Sequence, residues 1–417
     1  MNIIDELEWR GLIHDITDRE KLNKMAKGQI KVYLGIDPTA DSLHIGHLLP
    51  VIMLKRFQDF GHIPVSLAGD GTGRIGDPSG RSSERKLLSV QTINSNAKKI
   101  RKQVEKILDT DVQNPPLFLN NAAWGTKISM FEFLRDYGKF FNINYMLAKD
   151  SIASRLDSGL SFTEFSYTIL QAIDWLIMYE QYGVTMQIGG SDQWGNFTSG
   201  LDLIRKKHPK ANCAGLTMPL ITKSDGSKFG KTAAGAVWLD PEKTSPYEFY
   251  QFFLNTADAD VINYLKVFTF FTKEEIEKLE KAVNEQPHER LAQKELARAV
   301  TTIVHSEKEY KRALKISEAL FSGDIRKLKI KDIRDSFKGV PESIIKEDKI
   351  DIVNFLVVTE ICKSKREARE FVSGGSITIN GDRITDLEFI VDKNVAFNKE
   401  VTIVRRGKKN YFKVIFQ

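Results

Sequence analysis

Short apolar runs alternate with amphipathic stretches over the first ~220 residues, the pattern of a parallel sheet joined by crossover helices. Lys31 to Ile36 (KVYLGI) predicts a strand, Ile45 to Phe60 a helix, and Ile63 to Ala68 the next strand. Val184 to Ile188 predicts a further strand that closes on Gly189-Gly190. Between these, Ser82 to Asp109 is a polar, basic helical stretch and Phe131 to Ala148 an inserted helical element.

From Ser245 the pattern turns helical, with no strand period up to Leu320. Thr272 with Glu275, and Ser306 with Glu309, have the spacing of capping boxes, and Pro287 suits a first helical position. Gly323 to Lys349 is charged and poor in large apolar residues, and reads as a linker or small subdomain. Asp351 to Gln417 starts helical and continues as short strands at Ser376 to Asn380, Glu400 to Arg405 and Tyr411 to Phe416. Asn380-Gly381 is a hairpin signal. Repeats and low-complexity tracts are absent from the sequence.

Composition narrows the class. At 417 residues the chain exceeds one ordinary core, and two or three domains are expected. With 41% hydrophobic and 28% charged residues it reads as soluble and globular. No apolar run reaches the roughly 20 residues that span a bilayer, and Met1 to Glu6 lacks the basic-then-apolar order of a secretory signal. Cys213 and Cys362 stand alone, which excludes a zinc-cysteine or disulfide framework and fits a reducing cytoplasm. Nearly all of the +6 net charge comes from Asp324 to Gln417, where twenty Lys and Arg meet fifteen Asp and Glu. That surplus is an ordinary solvated surface unless a nucleic-acid motif accompanies it.

Three motifs carry chemistry. His44-Ile45-Gly46-His47 opens a helix after a strand and the turn Asp37-Pro38-Thr39. Two imidazoles three apart share a helical face, Gly46 permits close approach to the backbone, and the helix N-terminus favours phosphate charge. A metal pair is the competing reading, though zinc needs further ligands; incidental histidines at a helix start are another. Lys228-Phe229-Gly230-Lys231-Thr232, in a loop opened by Ser224-Asp225-Gly226-Ser227, suits a mobile clamp on a polyphosphate, or is a solvated basic turn. A P-loop does not fit, because its first glycine falls on Asp225. Gly71, Gly73 and Gly76 spell a dinucleotide fingerprint but lack the acidic residue about 20 positions on.

HIGH at 44–47 paired with KFGKT at 228–232 resembles the signature of class I aminoacyl-tRNA synthetases. YLGIDPTADSLHIGHL, IGDPSG, SFTEFSYTILQAIDW, QIGGSDQWGN and TSPYEFYQF look specifically like bacterial tyrosyl-tRNA synthetases, over residues ~31 to ~255. SKREAREFVSGGSITINGDRI resembles a small RNA-binding domain shared with a ribosomal small-subunit protein, which turns the basic surplus into a tRNA surface.

The resemblance implies a role for each matching residue. Tyr33 and Asp174 bond the substrate phenol. Tyr167, Gln171 and Asp77 hold the ammonium; Tyr167, Gln171 and Asp174 also share one helical face by spacing. Gly35, Asp37, Gly190, Asp192 and Gln193 line the adenylate, with Gln193 also at the tyrosine. Thr39, His44 and His47 contact the reacting phosphate, and Lys228 and Lys231, with Arg81 and Arg85 opposite, meet the departing pyrophosphate. Leu34 and Pro50 depart from the familiar pattern, where a thiol and a threonine can sit, and remove polar contacts near ATP.

The expected architecture is α/β: a Rossmann-like parallel-sheet catalytic domain with a helical insertion (1–222), a lysine loop and α-helical tRNA-binding domain (223–322), a linker (323–350) and a small α+β RNA-binding domain (351–417). The implied activity is tyrosine–tRNA ligation, with L-tyrosine, ATP and the tRNA for tyrosine as substrates. Mg²⁺ accompanies the pyrophosphate without a dedicated protein metal site. The resemblance also implies a cytoplasmic homodimer, away from membranes, joined through Phe131 to Tyr145, a segment that plain core would also explain. A kinase or dehydrogenase on the glycine motifs, a structural RNA-binding protein and a tryptophan-specific relative are the alternatives; the Tyr33/Asp174 pair speaks against the last.

Overall fold

The computed structural model describes residues 2–79, 87–156, 159–226, 229–232, 235–322, 324–338, 340–407 and 410–417. The chain forms two compact units, each discontinuous in sequence: Met1–Lys243 with Asn255–Val304, and Thr244–Leu254 with His305–Gln417.

The first unit is built on a six-stranded sheet. Its strands are β1 (Asp15–Ile16), β2 (Lys31–Ile36), β3 (Ile63–Ala68), β4 (Leu117–Asn120), β5 (Met186–Gly190) and β6 (Ala214–Met218), in the order β1-β6-β5-β2-β3-β4. All pairings are parallel except β1 with β6. From β2 the order runs outward to β4 on one side, and from β5 to β6 on the other. The crevice at the ends of β2 and β5 is therefore the topological switch point, where α/β sheets bind ligands.

The strands at 31–36 and 63–68 and the start of the helix at Ile45 fall where the hydrophobic pattern puts them. The strand expected at 184–188 lies two residues later. β1, β4 and β6 carry no legible signal: β4 is four half-buried residues at a sheet edge. Among the longer helices are α1 (Ile45–Asp59), α2 (Val90–Ile107), α3 (Phe162–Tyr182) and α4 (Trp194–Lys207). The insertion breaks into short turns of helix between Met130 and Leu147.

The helices between Asn255 and Val304 join this first unit. α5 (Asp258–Phe268) packs on α1, and the helix Leu291–Val304 packs on α2. Compactness thus divides the chain differently from cuts at 222, 322 and 350, because the apolar faces of these helices are covered by the sheet domain. Two arginines hold the end of α5. Arg56 on α1 donates to the carbonyls of Lys266 (3.2 Å), Val267 (3.3 Å) and Thr269 (2.5 Å). Arg10 donates to Lys266 (2.8 Å), Thr269 (3.2 Å) and Phe271 (2.5 Å), and pairs with Glu6. The last carbonyls of a helix lack intrahelical donors and carry the negative end of its dipole, so two buried guanidiniums satisfy both needs.

In the second unit, the helix Pro246–Leu254 packs on the helix Glu307–Ser322, with Gln251 Nε2 donating to Ser317 Oγ at 2.8 Å. Residues 323–350 are a small subdomain rather than a linker. Their helix Ile330–Ser336 is held by Arg312, which bonds Asp332 at 2.5 Å and Asp335 at 2.6 Å. Their strand Glu342–Ile345 pairs in parallel with Asn410–Phe416. Ile325, Leu328, Ile333 and Phe337 bury themselves in one cluster with Val401 and Ile403. Asn380 and Gly381 take φ of 51° and 95°, the left-handed pair of a tight hairpin between strands Ile377–Ile379 and Asp382–Ile384.

Arg56→Met leaves the Val267 carbonyl without its arginine donor and the Lys266 and Thr269 carbonyls with Arg10 alone. The expected loss in urea unfolding of the first unit is about 3 kcal/mol. A loss under about 1 kcal/mol would mean that water satisfies the end of α5.

Candidate active site at the β2–β5 switch point

Two carboxylates dominate the pocket. Asp174, on α3, is 5% exposed; its Oδ2 accepts from Asn121 Nδ2 at 2.8 Å and its Oδ1 from Trp124 Nε1 at 2.7 Å. Asp37, just past β2, accepts from Thr72 Oγ1 at 2.7 Å and from the Tyr167 hydroxyl at 2.9 Å. Asn121 joins the two halves, because its Nδ2 also donates to Thr72 Oγ1 at 3.0 Å. The Gly71 N–H binds Asn121 Oδ1 at 2.7 Å and so fixes which way the amide points. Thr72, Tyr167, Asn121 and Trp124 each aim a donor at one of the two carboxylates.

The electrostatics follow from burial. Burial raises the Asp174 carboxyl to about 7; the Asn121 and Trp124 hydrogen bonds hold it down, and nearby Asp37 adds to the rise. Burial and the charge of Asp174 push the Tyr33 phenol well above its ordinary value. Tyr33 sits on β2 at 1% exposure, edge-on to Trp175 at 5.9 Å, and its hydroxyl finds no hydrogen-bond partner among the described residues. Gln187, its register neighbour on β5, has a buried Oε1 in the same condition. Buried polar atoms without partners mark a place where a polar ligand group is wanted.

Across the crevice, Asp77 accepts from the Ser79 N–H at 2.9 Å and from Gln193 Nε2 at 2.7 Å. Gln193 also reaches Asp192 at 3.3 Å, and burial raises the Asp192 carboxyl. Gln171 is half-buried on α3, one turn after Tyr167. Gly35 is the penultimate residue of β2, two before Asp37, Gly190 ends β5 beside Asp192, and the Thr39 N–H bonds the Asp37 carbonyl at 2.8 Å.

The start of α1 is a helix cap made of two histidines. His44 Nδ1 accepts from the Gly46 N–H at 3.0 Å and His47 Nδ1 from the His44 N–H at 3.3 Å, with the rings stacked 3.9 Å apart. Both Nδ1 atoms act as acceptors, so the neutral rings carry their proton on Nε2 and offer it as a donor. Gly46 serves a different purpose from the expected one: a Cβ there would lie 2.9 Å from the His44 ring, so the glycine makes room for the cap. Pro50 inside α1 lacks an N–H and leaves the Gly46 carbonyl without its i+4 donor. Leu34 is 4% exposed and alternates to the sheet face opposite Tyr33.

The lysine loop reaches this cap through its backbone. Lys231–Thr232 forms β7, paired with β8 (Gly235–Ala236). The Ile45 N–H bonds the Val237 carbonyl at 2.8 Å, and the Val237 N–H bonds the Gly230 carbonyl at 3.2 Å. Lys228, Arg81 and Arg85 lie outside the described residues, as does the side chain of Lys231. Among the described residues, no three His, Cys, Asp or Glu side chains are grouped as a metal site.

Sequence reasoning missed Thr72, Asn121 and Trp124. Thr72 lies inside the glycine run set aside as a failed dinucleotide fingerprint; that run instead forms the turn Thr72–Arg74, which delivers the hydroxyl to Asp37. Asn121 and Trp124 follow the short edge strand β4, which itself left no signal.

Residues 25–322 match the family described as tRNA synthetases class I (W and Y), and residues 332–414 match the tyrosine–tRNA ligase SYY-like C-terminal domain. The tyrosine–tRNA ligase of Listeria monocytogenes is 54% identical over 419 residues, covering 100% of both chains. Tyrosine–tRNA ligase 1 of Enterococcus faecalis is 54% identical over 414 residues, covering 99% of each. A C-terminally truncated mitochondrial tyrosyl-tRNA synthetase from Aspergillus nidulans superposes with a TM-score of 0.69 at 32% identity, covering 77% of this chain and 94% of that one. A tryptophanyl-tRNA synthetase from Encephalitozoon cuniculi, at 15% identity and a TM-score of 0.56, shares the fold. With the catalytic signature, the switch-point pocket and both ends of the sequence matched, this chain belongs to the class I tyrosine–tRNA ligases, enzymes that use ATP to join tyrosine to tRNA.

Proposed function

We propose that L-tyrosine binds with its phenol between Tyr33 and Asp174 and its ammonium against Tyr167, Gln171 and Asp77. The observation that carries this reading is the buried Tyr33 hydroxyl, which has no partner among the described residues and feels the charge of Asp174. The Tyr33 O–H is a donor and the Asp174 carboxylate an acceptor, so a substrate hydroxyl can accept from one and donate to the other. Phenylalanine offers neither group.

ATP then lies across Gly35, Asp37, Gly190, Asp192 and Gln193, with Asp192 on the ribose. The tyrosine carboxylate oxygen attacks the α-phosphorus, the bond to the bridging oxygen breaks, and pyrophosphate departs. His44 and His47, as Nε2–H donors at a helix N-terminus, and Thr39 stabilise charge on the reacting phosphate. Lys228 and Lys231, with Arg81 and Arg85 opposite, receive the pyrophosphate; Mg²⁺ enters with ATP as part of that substrate. A hydroxyl of the terminal tRNA ribose next attacks the tyrosyl carbonyl carbon and releases AMP. Segments 223–322 and 351–417 supply the tRNA contacts in this reading.

Asp174→Ala tests the pocket. The kcat/KM for tyrosine in pyrophosphate exchange should fall roughly 10–100-fold while that for phenylalanine barely moves, since only tyrosine loses a bond to a charged group. An unchanged ratio would remove Asp174 from the phenol.

The carboxyl near 7 has a pH signature. Its charged form accepts the phenol more strongly, so tyrosine KM should rise as pH falls through about 7. Trp124→Phe removes a donor that favours the charged form, and the rise should then begin at higher pH. Identical pH profiles for the two proteins would contradict the assignment.

We also infer a cytoplasmic homodimer. No described helix is long and apolar enough to cross a membrane. Phe131 (78% exposed), Met130 (67%), Ile143 (64%) and Phe162 (72%) place large apolar surface in and beside the insertion. Such surface is characteristic of an interaction face. Phe131→Asp combined with Phe162→Asp should shift sedimentation from dimer to monomer, and a dimer that persists would locate the interface elsewhere.

A further inference from the structure

The two lysines of the loop flank an aromatic residue. Phe229 packs its ring on α5, stacked on Phe268 with centroids 5.1 Å apart and edge-on to Tyr264 at 4.9 Å. Phe268 is fully buried and Tyr264 is 3% exposed, so the seat is part of the core. The next residue turns the chain onto the histidine helix. Gly230 has φ of +81°, and a Cβ on it would run into the Ile45 side chain. Only glycine combines that backbone with that contact.

These contacts form a closed circuit. At its start, α1 meets the loop through Ile45, both at Gly230 and at the Val237 carbonyl. The loop meets α5 through Phe229. The carbonyls at the end of α5 return to α1 through Arg56, about three turns beyond Ile45. A side chain that slides on Phe268 therefore moves Gly230 against the His44–His47 turn. Elsewhere in the loop, the Ser224 N–H bonds Asp260 at 2.9 Å.

We propose that Phe229 is a positioning residue for adenylate formation: its seat on Tyr264 and Phe268 fixes the Gly230 turn of the loop against the histidine cap. This rests on the catalytic reading of the lysine loop. Phe229 touches neither substrate in this account. Its effect belongs to the transition state, where the lysines meet charge on the departing pyrophosphate, and tyrosine binding is left alone.

The test is a cycle of Phe229→Ala and Lys231→Ala in the full-length chain, with pyrophosphate exchange and equilibrium tyrosine binding measured on each protein. Lys231→Ala should slow activation by about 10²–10³-fold. Phe229→Ala should lower kcat by about 10²-fold, the cost of misplacing a catalytic group by roughly 1 Å, with tyrosine affinity unchanged. Phe229→Leu should recover most of the rate, because it keeps apolar volume in the seat. In the Lys231→Ala background, Phe229→Ala should add little. The inference is overturned by a Phe229→Ala enzyme of normal rate, by one that loses tyrosine affinity along with rate, or by effects that multiply undiminished in the double variant. A silent Lys231→Ala is a different failure: it removes the loop from catalysis and takes the inference with it. Should Phe229→Ala not fold, Phe229→Val, which leaves the seat partly filled, carries the same cycle with a smaller loss of rate expected.

Discussion

Two carboxylates share one water-poor pocket, and much of the site follows from that constraint. Asp37 and Asp174 disfavour each other's charge, and burial disfavours charge on Asp174 as well. The structure offsets this with donors: Tyr167 and Thr72 for Asp37, Asn121 and Trp124 for Asp174. With those four donors committed, the buried Tyr33 hydroxyl feels the charge of Asp174 and has no partner among the described residues. The proposed selection of a hydroxylated ring is then the complement of the solution to a burial problem. The same logic explains why the Asp174 carboxyl lies near neutrality: two hydrogen bonds moderate the effect of burial without cancelling it.

The phosphate end rests on a different resource. A helix start offers unpaired N–H groups and a positive dipole end. Here the Gly46 and His44 N–H groups are engaged by imidazole Nδ1 atoms, which leaves Nε2 of each neutral ring as the donor. α1 therefore does two jobs with opposite ends. Its N-terminus presents the histidines, and Arg56 near its C-terminus holds α5, which in turn seats the lysine loop through Phe229. Displacement of α5 would be felt at the catalytic turn even though α5 itself carries no proposed catalytic side chain.

Some of this was determined by the sequence alone. β2, β3 and the start of α1 are local: each is a run whose period and capping residues decide its conformation wherever it sits. The two signature motifs are contiguous, so their chemistry could be read before any contact was known. Asp174, Tyr167 and Gln171 could be grouped because one helix spaces them.

Tertiary structure decided the rest, for one physical reason: it depends on pairs of residues far apart in the chain. Asn121 meets Asp174 across 53 positions and Tyr167 meets Asp37 across 130. No period encodes such a pair. β4 stayed hidden because a four-residue edge strand buries too little on either face to leave an alternation. Thr72 was masked by glycines that suggested another fold. The stretch 323–350 carries few apolar residues, yet Ile325, Leu328, Ile333 and Phe337 all find one cluster, which only the return of Val401 and Ile403 completes. Likewise the helices between Asn255 and Val304 belong with the six-stranded sheet because their apolar faces are covered there, a partnership that local sequence cannot state.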